Sequence, residues 1–361
     1  MKITKITAQQ IETPRANGII SGHVILFVHV DAGPIGLGEA SDSYVSDAGD
    51  LESVVRQYNE LLSGRDATCI GEINELLRAH DFKSGVSNNH LVSAIDLALY
   101  DLNGKALGVP AYRLMGGKFR DRIYCCYPTW GHQVAKDYEA TAGYLQRLVD
   151  HGHHLFRYYV SGDADFDDRF LTDMFKRFGD KIRLKQIDFS GRFTDWQTVI
   201  RYADVLRHHA PFHWEQPSRD LRVCAEFTKR VDLPVSLHTS TLERGLESIE
   251  RGACTAFNMC NVDCGPTYIR RLYALAESAG IYCLIGTDQE STLGIAGQLH
   301  LGASMPNLSL PCDPMGPMLY TKSPAKERIH AEGSYLTVPE GAGLGVELDD
   351  EKLAALTILS A

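Results

Sequence analysis

The sequence has no CxxC pair, no GxGxxG fingerprint behind an apolar strand, and no apolar run long enough to span a membrane. The first absence removes dithiol redox centres and zinc ribbons. The second disfavours a dinucleotide-binding sheet. The third leaves no candidate membrane helix. Excess positive charge is also missing: 36 Lys and Arg stand against 46 Asp and Glu, a formal net charge of -10. Nucleic acid needs basic surface to neutralise its phosphates, so it is not an expected partner. The nine cysteines are odd in number and scattered, which suits a reducing, cytoplasmic setting better than a disulfide framework. The opening stretch MKITKITAQQIETP alternates like a strand and lacks the apolar centre of a signal peptide.

What is present is ample core material. Apolar residues make up 44 % of the 361, enough for one large domain and a smaller one without covalent staples. Residues 2–12, 24–30 and 35–40 read as a three-strand meander. Helical periodicity follows at 51–62, 73–79 and 88–107, where Leu91, Ala94, Ile95, Ala98, Leu99 and Leu102 share one face. From about Arg122 short apolar strands alternate with helices of about ten residues or more. The strands are read at 123–128, 155–160, 182–188, 212–215, 235–238, 256–259, 282–285 and, weakly, 308–310. Such alternation means parallel strands with crossover helices. The predicted fold class is α/β, a (β/α)8 TIM-like barrel with an α+β capping domain made by the N-terminal region and the C-terminal tail. The expected division is 1–117 for the cap, 118–320 for the barrel and 321–361 for the returning tail.

A parallel barrel carries its chemistry at the C-terminal ends of the strands. Asp188 ends the third strand, Glu215 the fourth and His238 the fifth. Two carboxylates suit Mg²⁺, and an added imidazole favours Mn²⁺ or Zn²⁺. Each could equally be a polar residue meeting solvent. On the second strand, alternation puts Arg157 and Tyr159 on one face and Tyr158 on the other. A guanidinium beside a phenol favours the phenolate, so Tyr159 is a candidate base or acid, or else barrel filling. Asn258, Cys260 and Asp263 follow the sixth strand; Cys260 is either a thiolate base or an inert buried thiol. Thr287, Asp288, Gln289 and Glu290 follow the seventh, where an acid could steady an oxyanion or cap the next helix.

Several segments carry a resemblance. SAIDLALYDLNGKALGVPAYRLMGG (93–117), GHHLFRYYVSGD, IDFSGRF, HWEQP, DQESTLGIAGQLHLGAS and VPEGAGLGVELDDEKL occur in the order found in the mandelate racemase and muconate lactonizing enzyme branch of the enolase superfamily. The chain resembles that family over nearly its whole length. The resemblance implies a divalent cation, Mg²⁺ in the usual case, and a small carboxylate substrate such as a sugar acid or amino-acid derivative. It implies removal of the proton beside the carboxylate, leading to epimerisation, cycloisomerisation or dehydration. Asp188 and Glu215 match the first two metal carboxylates. His238 and Thr239 stand where the third acid is expected. The family's lysine pair appears as Arg157 and Tyr159, and its opposing base as Cys260. A racemase-type histidine would fall at Gly286, and Glu290 matches a glutamate able to contact the substrate carboxylate. These replacements also admit a member that binds a small acid without turnover. Loops at 14–23 and 42–50, with His23 and Tyr44, and Trp130 beyond the first barrel strand, are the candidate substrate contacts. A homo-oligomer is expected by the same resemblance.

Overall fold

The computed structural model describes residues 1–16, 18–41, 48–80, 82, 88–130 and 136–361. The alternating N-terminal sequence forms the antiparallel meander expected of it: β1 (Ile3–Pro14), β2 (Ile20–Val30) and β3 (Gly36–Ser41). A strand from the tail, β14 (Thr357–Ser360), adds to the free edge of β1, giving the order β14-β1-β2-β3. One face of this sheet buries Val24, Leu26 and Val28 against Leu51, Val54 and Tyr58 of helix Ala48–Leu62 and Leu91, Ile95 and Leu99 of helix Asn88–Leu107. The contact with the second helix is backbone-close. A Cβ on Gly36 would stand 2.3 Å from the Ala98 carbonyl oxygen, and one on Gly38 1.8 Å from that of Ala94.

The hairpin differs from the expectation at its turn. Pro14 pairs with Ile20, and β2 begins there instead of at residue 24. Of the segment read as a loop at 14–23, Pro14 and Ile20–His23 are therefore strand, and the Thr13 hydroxyl bonds across the pair to the Ser21 carbonyl and to His23 Nε2. Residues 42–47, with Tyr44, lie outside the described residues.

The barrel wall is a parallel sheet of β5 (Tyr127–Trp130), β6 (Leu155–Tyr159), β7 (Arg183–Asp188), β8 (His213–Glu215), β9 (Val235–His238), β10 (Ala256–Met259) and β11 (Tyr282–Ile285), paired in chain order. Helices cover its outer face, with Trp214, Phe189, Phe227 and Val199 among the buried contacts. Aspartate or threonine starts many of them: Asp137, Asp163, Asp195, Asp220 and Thr241 each accept a backbone N–H of the first turn. Each such cap contributes about 1 kcal/mol.

Two expected strands are corrected. The segment read at 123–128 is two strands. β4 (Arg122–Tyr124) leaves the barrel for a small antiparallel sheet with β12 (Ala331–Glu332) and β13 (Tyr335–Thr337), and β5 starts at Tyr127. The weak eighth strand at 308–310 is not one. The seam is closed by single backbone bonds: Ser309 and Leu310 donate to Cys283, Asp313 to Ile285, and Cys126 to Cys312. No described helix is long and apolar enough to cross a membrane.

Candidate active site

The register across the sheet lines up the strand ends. Trp130 pairs with Tyr159, Tyr159 with Asp188, and Asp188 with Glu215. Asn258 pairs with His238. The sequence-selected residues Tyr159, Asp188, Glu215 and His238 thus share one end of the barrel.

Glu215 is the hub. It is fully buried and accepts from Gln186 Nε2, from Asn258 Nδ2 at 3.1 Å and from His238 Nε2 at 3.1 Å. His213 Nε2 stands 3.6 Å away and the Arg157 guanidinium 4.0 Å away. Burial works to raise Glu215, yet the two imidazoles and Lys185 hold it well below the usual carboxylate range. Asp188, held by the Ser190 N–H at 2.7 Å, goes the other way. Burial and the charge of Glu215 push it up to about 7, against the pull of Arg157 and His238. His238 keeps 44 % of its side chain exposed. Burial of the rest would lower it, but the hydrogen bond and charge of Glu215 raise it to about 9.

This pattern bears on the cation implied by the family resemblance. Two register-paired buried carboxylates repel one another, and a divalent ion between them would relieve the repulsion. With the His238 imidazole the donor set fits such an ion in kind. In arrangement it is looser. Among the described residues, Asp168/His208/His209 and His90/Asp263/Asp288 bring their ligating atoms within 4.8 Å of one another; Asp188, Glu215 and His238 do not form such a group.

Arg157 and Tyr159 face inward as alternation requires, while Tyr158 turns outward to donate to Asp167 at 2.8 Å. The Arg157 guanidinium lies 4.6 Å from the centre of the Tyr159 ring. The expected easy phenolate is corrected. Burial outweighs the guanidinium, and the charges of Asp188, Glu215 and Asp313 add to it, so the Tyr159 hydroxyl is held well above the usual phenol range. It keeps its proton at neutral pH.

Asp313 was not selected from the sequence. It sits in the barrel seam, fully enclosed, 2.6 Å from Lys185 Nζ and 3.4 Å from Arg157, and accepts from the Cys126 thiol at 3.1 Å. Lys185 escapes strand alternation because β7 bulges there: the pairing jumps from Phe156–Leu184 to Arg157–Gln186. The bulge lets Lys185 and Gln186, though consecutive, both reach the interior. Asp313 lies where no strand pattern exists.

On the opposite wall, the Cys260 thiol donates to Glu290 Oε1 at 3.3 Å. Glu290 is fully buried and also meets Gln298 and Thr287. Burial and the Asp288 charge push it to about 8. The Gln298 amide also reaches the sulfur, at 3.7 Å, so Cys260 and Glu290 share one buried hydrogen-bonded cluster on this wall. Glu290 does not cap helix Thr292–Ser304 either. That work belongs to Glu39 of β3, which accepts from Ser291 N at 2.6 Å, Ser291 Oγ at 2.7 Å and Gly294 N at 2.9 Å. A side chain at Gly286 would displace Asn258, since its Cβ would stand 2.2 Å from Asn258 Oδ1.

His23 is corrected as a substrate contact. It is fully buried, bonded to Thr13 at 3.0 Å and facing Glu39 at 3.3 Å, with its ring edge-on to Tyr320. It braces the cap against the barrel. Trp130 closes β5 beside Tyr159. Asp263 stands 3.8 Å from His90 of helix Asn88–Leu107, at the join of cap and barrel.

Comparison with known proteins follows the same outline. Residues 11–116 match the mandelate racemase/muconate lactonizing enzyme N-terminal domain, and residues 140–352 match the enolase C-terminal domain-like family. Muconate cycloisomerase 1 of Rhodococcus opacus is 28% identical over 315 residues, 85% of this chain and 82% of that protein. N-succinyl-L-Arg/Lys racemase of Bacillus cereus is 25% identical, covering 99% of this chain and 98% of its own. The muconate lactonizing enzyme structure from Pseudomonas putida superposes with a TM-score of 0.87 at 22% identity, over 99% of this chain and 100% of that one.

Proposed function

Since the chain belongs to the mandelate racemase and muconate lactonizing enzyme family, with its TIM barrel and capping domain, we propose that it is an isomerase. Its substrate in this reading is a small carboxylic acid that reacts through the carbon beside the carboxylate. The carrying observation is the Tyr159 ring lying under the Arg157 guanidinium, beside the Asp188–Glu215 pair. Curated relatives that are cycloisomerases and a racemase support the isomerase class.

Asp188, Glu215 and His238 would hold a divalent cation, Mg²⁺ or, with the imidazole, Mn²⁺ or Zn²⁺, whose charge would stabilise an enediolate. Tyr159 delivers a proton to the carbon beside the carboxylate or removes it in the reverse sense. Arg157 fixes the ring and offsets negative charge on the phenolate oxygen as the proton leaves. Glu290, protonated at neutral pH, donates a hydrogen bond toward negative charge building on the substrate. Gly286 stands where a racemase-type histidine would fall, and the wall across from Tyr159 carries the hydrogen-bonded Cys260–Glu290 pair in its place. Proton transfer from one face suits cycloisomerisation better than racemisation, which needs a donor and an acceptor on opposite faces.

The test is proton NMR in D₂O with Mg²⁺ or Mn²⁺ against muconate, N-succinyl arginine and lysine, and pooled sugar acids. Loss of the α-proton signal or a new product is expected. Tyr159→Phe should lower turnover by about 10²–10⁴-fold with unchanged unfolding; full turnover in that variant sinks the assignment. A second reading, binding without turnover, draws on the Glu215 carboxylate, which already accepts from Gln186, Asn258 and His238. It requires stabilisation by one of these acids with no exchange.

A further inference from the structure

Away from the barrel mouth, ligating side chains converge a second time. Asp168 belongs to helix Ala164–Phe178, and His208 and His209 to the 3-10 turn Arg207–His209 that leads into β8. His208 Nε2 lies 3.1 Å and His209 Nε2 2.8 Å from one and the same oxygen, Asp168 Oδ1. The three ligating atoms stand within 4.8 Å of one another. His209 is fixed: its side chain is 3% exposed and its ring stacks on Phe175 at 5.7 Å with the planes 11° apart. The His208 ring rests against it at 3.9 Å. His208 and Asp168 remain 56% and 32% exposed, so one side of the group is open to solvent.

The geometry points to a transition-metal site, and we propose that Asp168, His208 and His209 bind one Zn²⁺ with water in the remaining position. Zinc bonds to nitrogen and oxygen are about 2.0–2.1 Å, so neighbouring ligands in a tetrahedral shell stand about 3.3–3.4 Å apart. The nitrogen–oxygen separations of 3.1 and 2.8 Å need to open by about 0.2–0.6 Å to reach that spacing. A simple ion pair needs one imidazole; here two compete for a single oxygen. Two imidazoles and a carboxylate select Zn²⁺, Ni²⁺ or Cu²⁺ over Mg²⁺ and Ca²⁺, which take oxygen donors. The Phe175 stack has already ordered one ligand, which lowers the entropy lost on binding. The ion would clamp helix Ala164–Phe178 to the turn before β8 on the outside of the barrel, and so act on stability.

The test is titration of the full chain with ZnCl₂ by calorimetry, with thermal unfolding alongside. An Asp188→Asn/Glu215→Gln protein is expected to retain one Zn²⁺ per chain, uncontested by excess Mg²⁺, and to unfold at higher temperature with Zn²⁺ present. His208→Ala, a change at an exposed ring, should weaken that binding by about 100-fold or more, and His209→Gln should do the same. Compared directly with the unaltered chain, His208→Ala should bind one fewer Zn²⁺. Cobalt in place of zinc should give tetrahedral absorption bands that His208→Ala abolishes. Zinc stoichiometry and affinity unchanged by both histidine substitutions, or no zinc uptake at all by the unaltered chain, would overturn the proposal.

Discussion

Asp313 shows how one side chain can set a site it does not face. Its carboxylate sits between Lys185 and Arg157, both fully or almost fully buried. Asp313→Asn would leave two enclosed cations short of a partner, and a loss of about 3–5 kcal/mol is expected in urea unfolding at neutral pH. Adding Lys185→Met should recover part of that loss, because it removes one stranded charge. No recovery would mean that Asp313 acts through Arg157 alone. The same group marks the limit of sequence reading. Arg157, Tyr159, Asp188 and Glu215 were legible because strand period and strand ends are written in local pattern. Asp313 and Lys185 were not, one lying outside any strand and the other on a bulge that breaks the period of two. Tyr159 was placed on its strand face from the period, but the state of its hydroxyl depended first on its burial and then on Asp188, Glu215 and Asp313, none of them near it in sequence.

Between elements, the cap is joined to the barrel by Glu39. Burial would raise this carboxylate, but His23, Ser291 and Gly294 together lower it from 4.5 to about 2. A carboxylate lowered on folding adds stability above its unfolded pKa. That stability disappears as pH falls through the folded value. Glu39→Gln should therefore cost about 2–4 kcal/mol at pH 7. The gap between variant and parent should narrow from pH 4.5 toward pH 2, as followed by urea unfolding across that range. A gap independent of pH would assign the effect to shape instead of charge. Gly38 tests the other join. A methyl there would drive into the Ala94 carbonyl of helix Asn88–Leu107, and Gly38→Ala should destabilise by about 3 kcal/mol or more. Helix Asn88–Leu107 was plain from its periodicity. The closeness of β3 to it was not, since a glycine in a strand signals close approach without naming the partner.

Over the whole molecule, the alternation of short strands and helices was enough to read a parallel barrel. Its closure was placed near 308–310 but as a strand, whereas residues 309–313 close the seam with single hydrogen bonds that an apolar pattern does not distinguish from a ladder. That seam has a consequence for how the molecule breathes. A wall held by isolated bonds opens locally at lower cost than one held by a full ladder. The amides of Ser309, Leu310 and Asp313 should exchange with deuterium sooner than those of β7. Asp313 is at once a seam residue and the anchor of Arg157. Each opening of the seam therefore loosens the guanidinium over Tyr159, and by reciprocity any acid that engages Arg157 should slow exchange at residues 309–313.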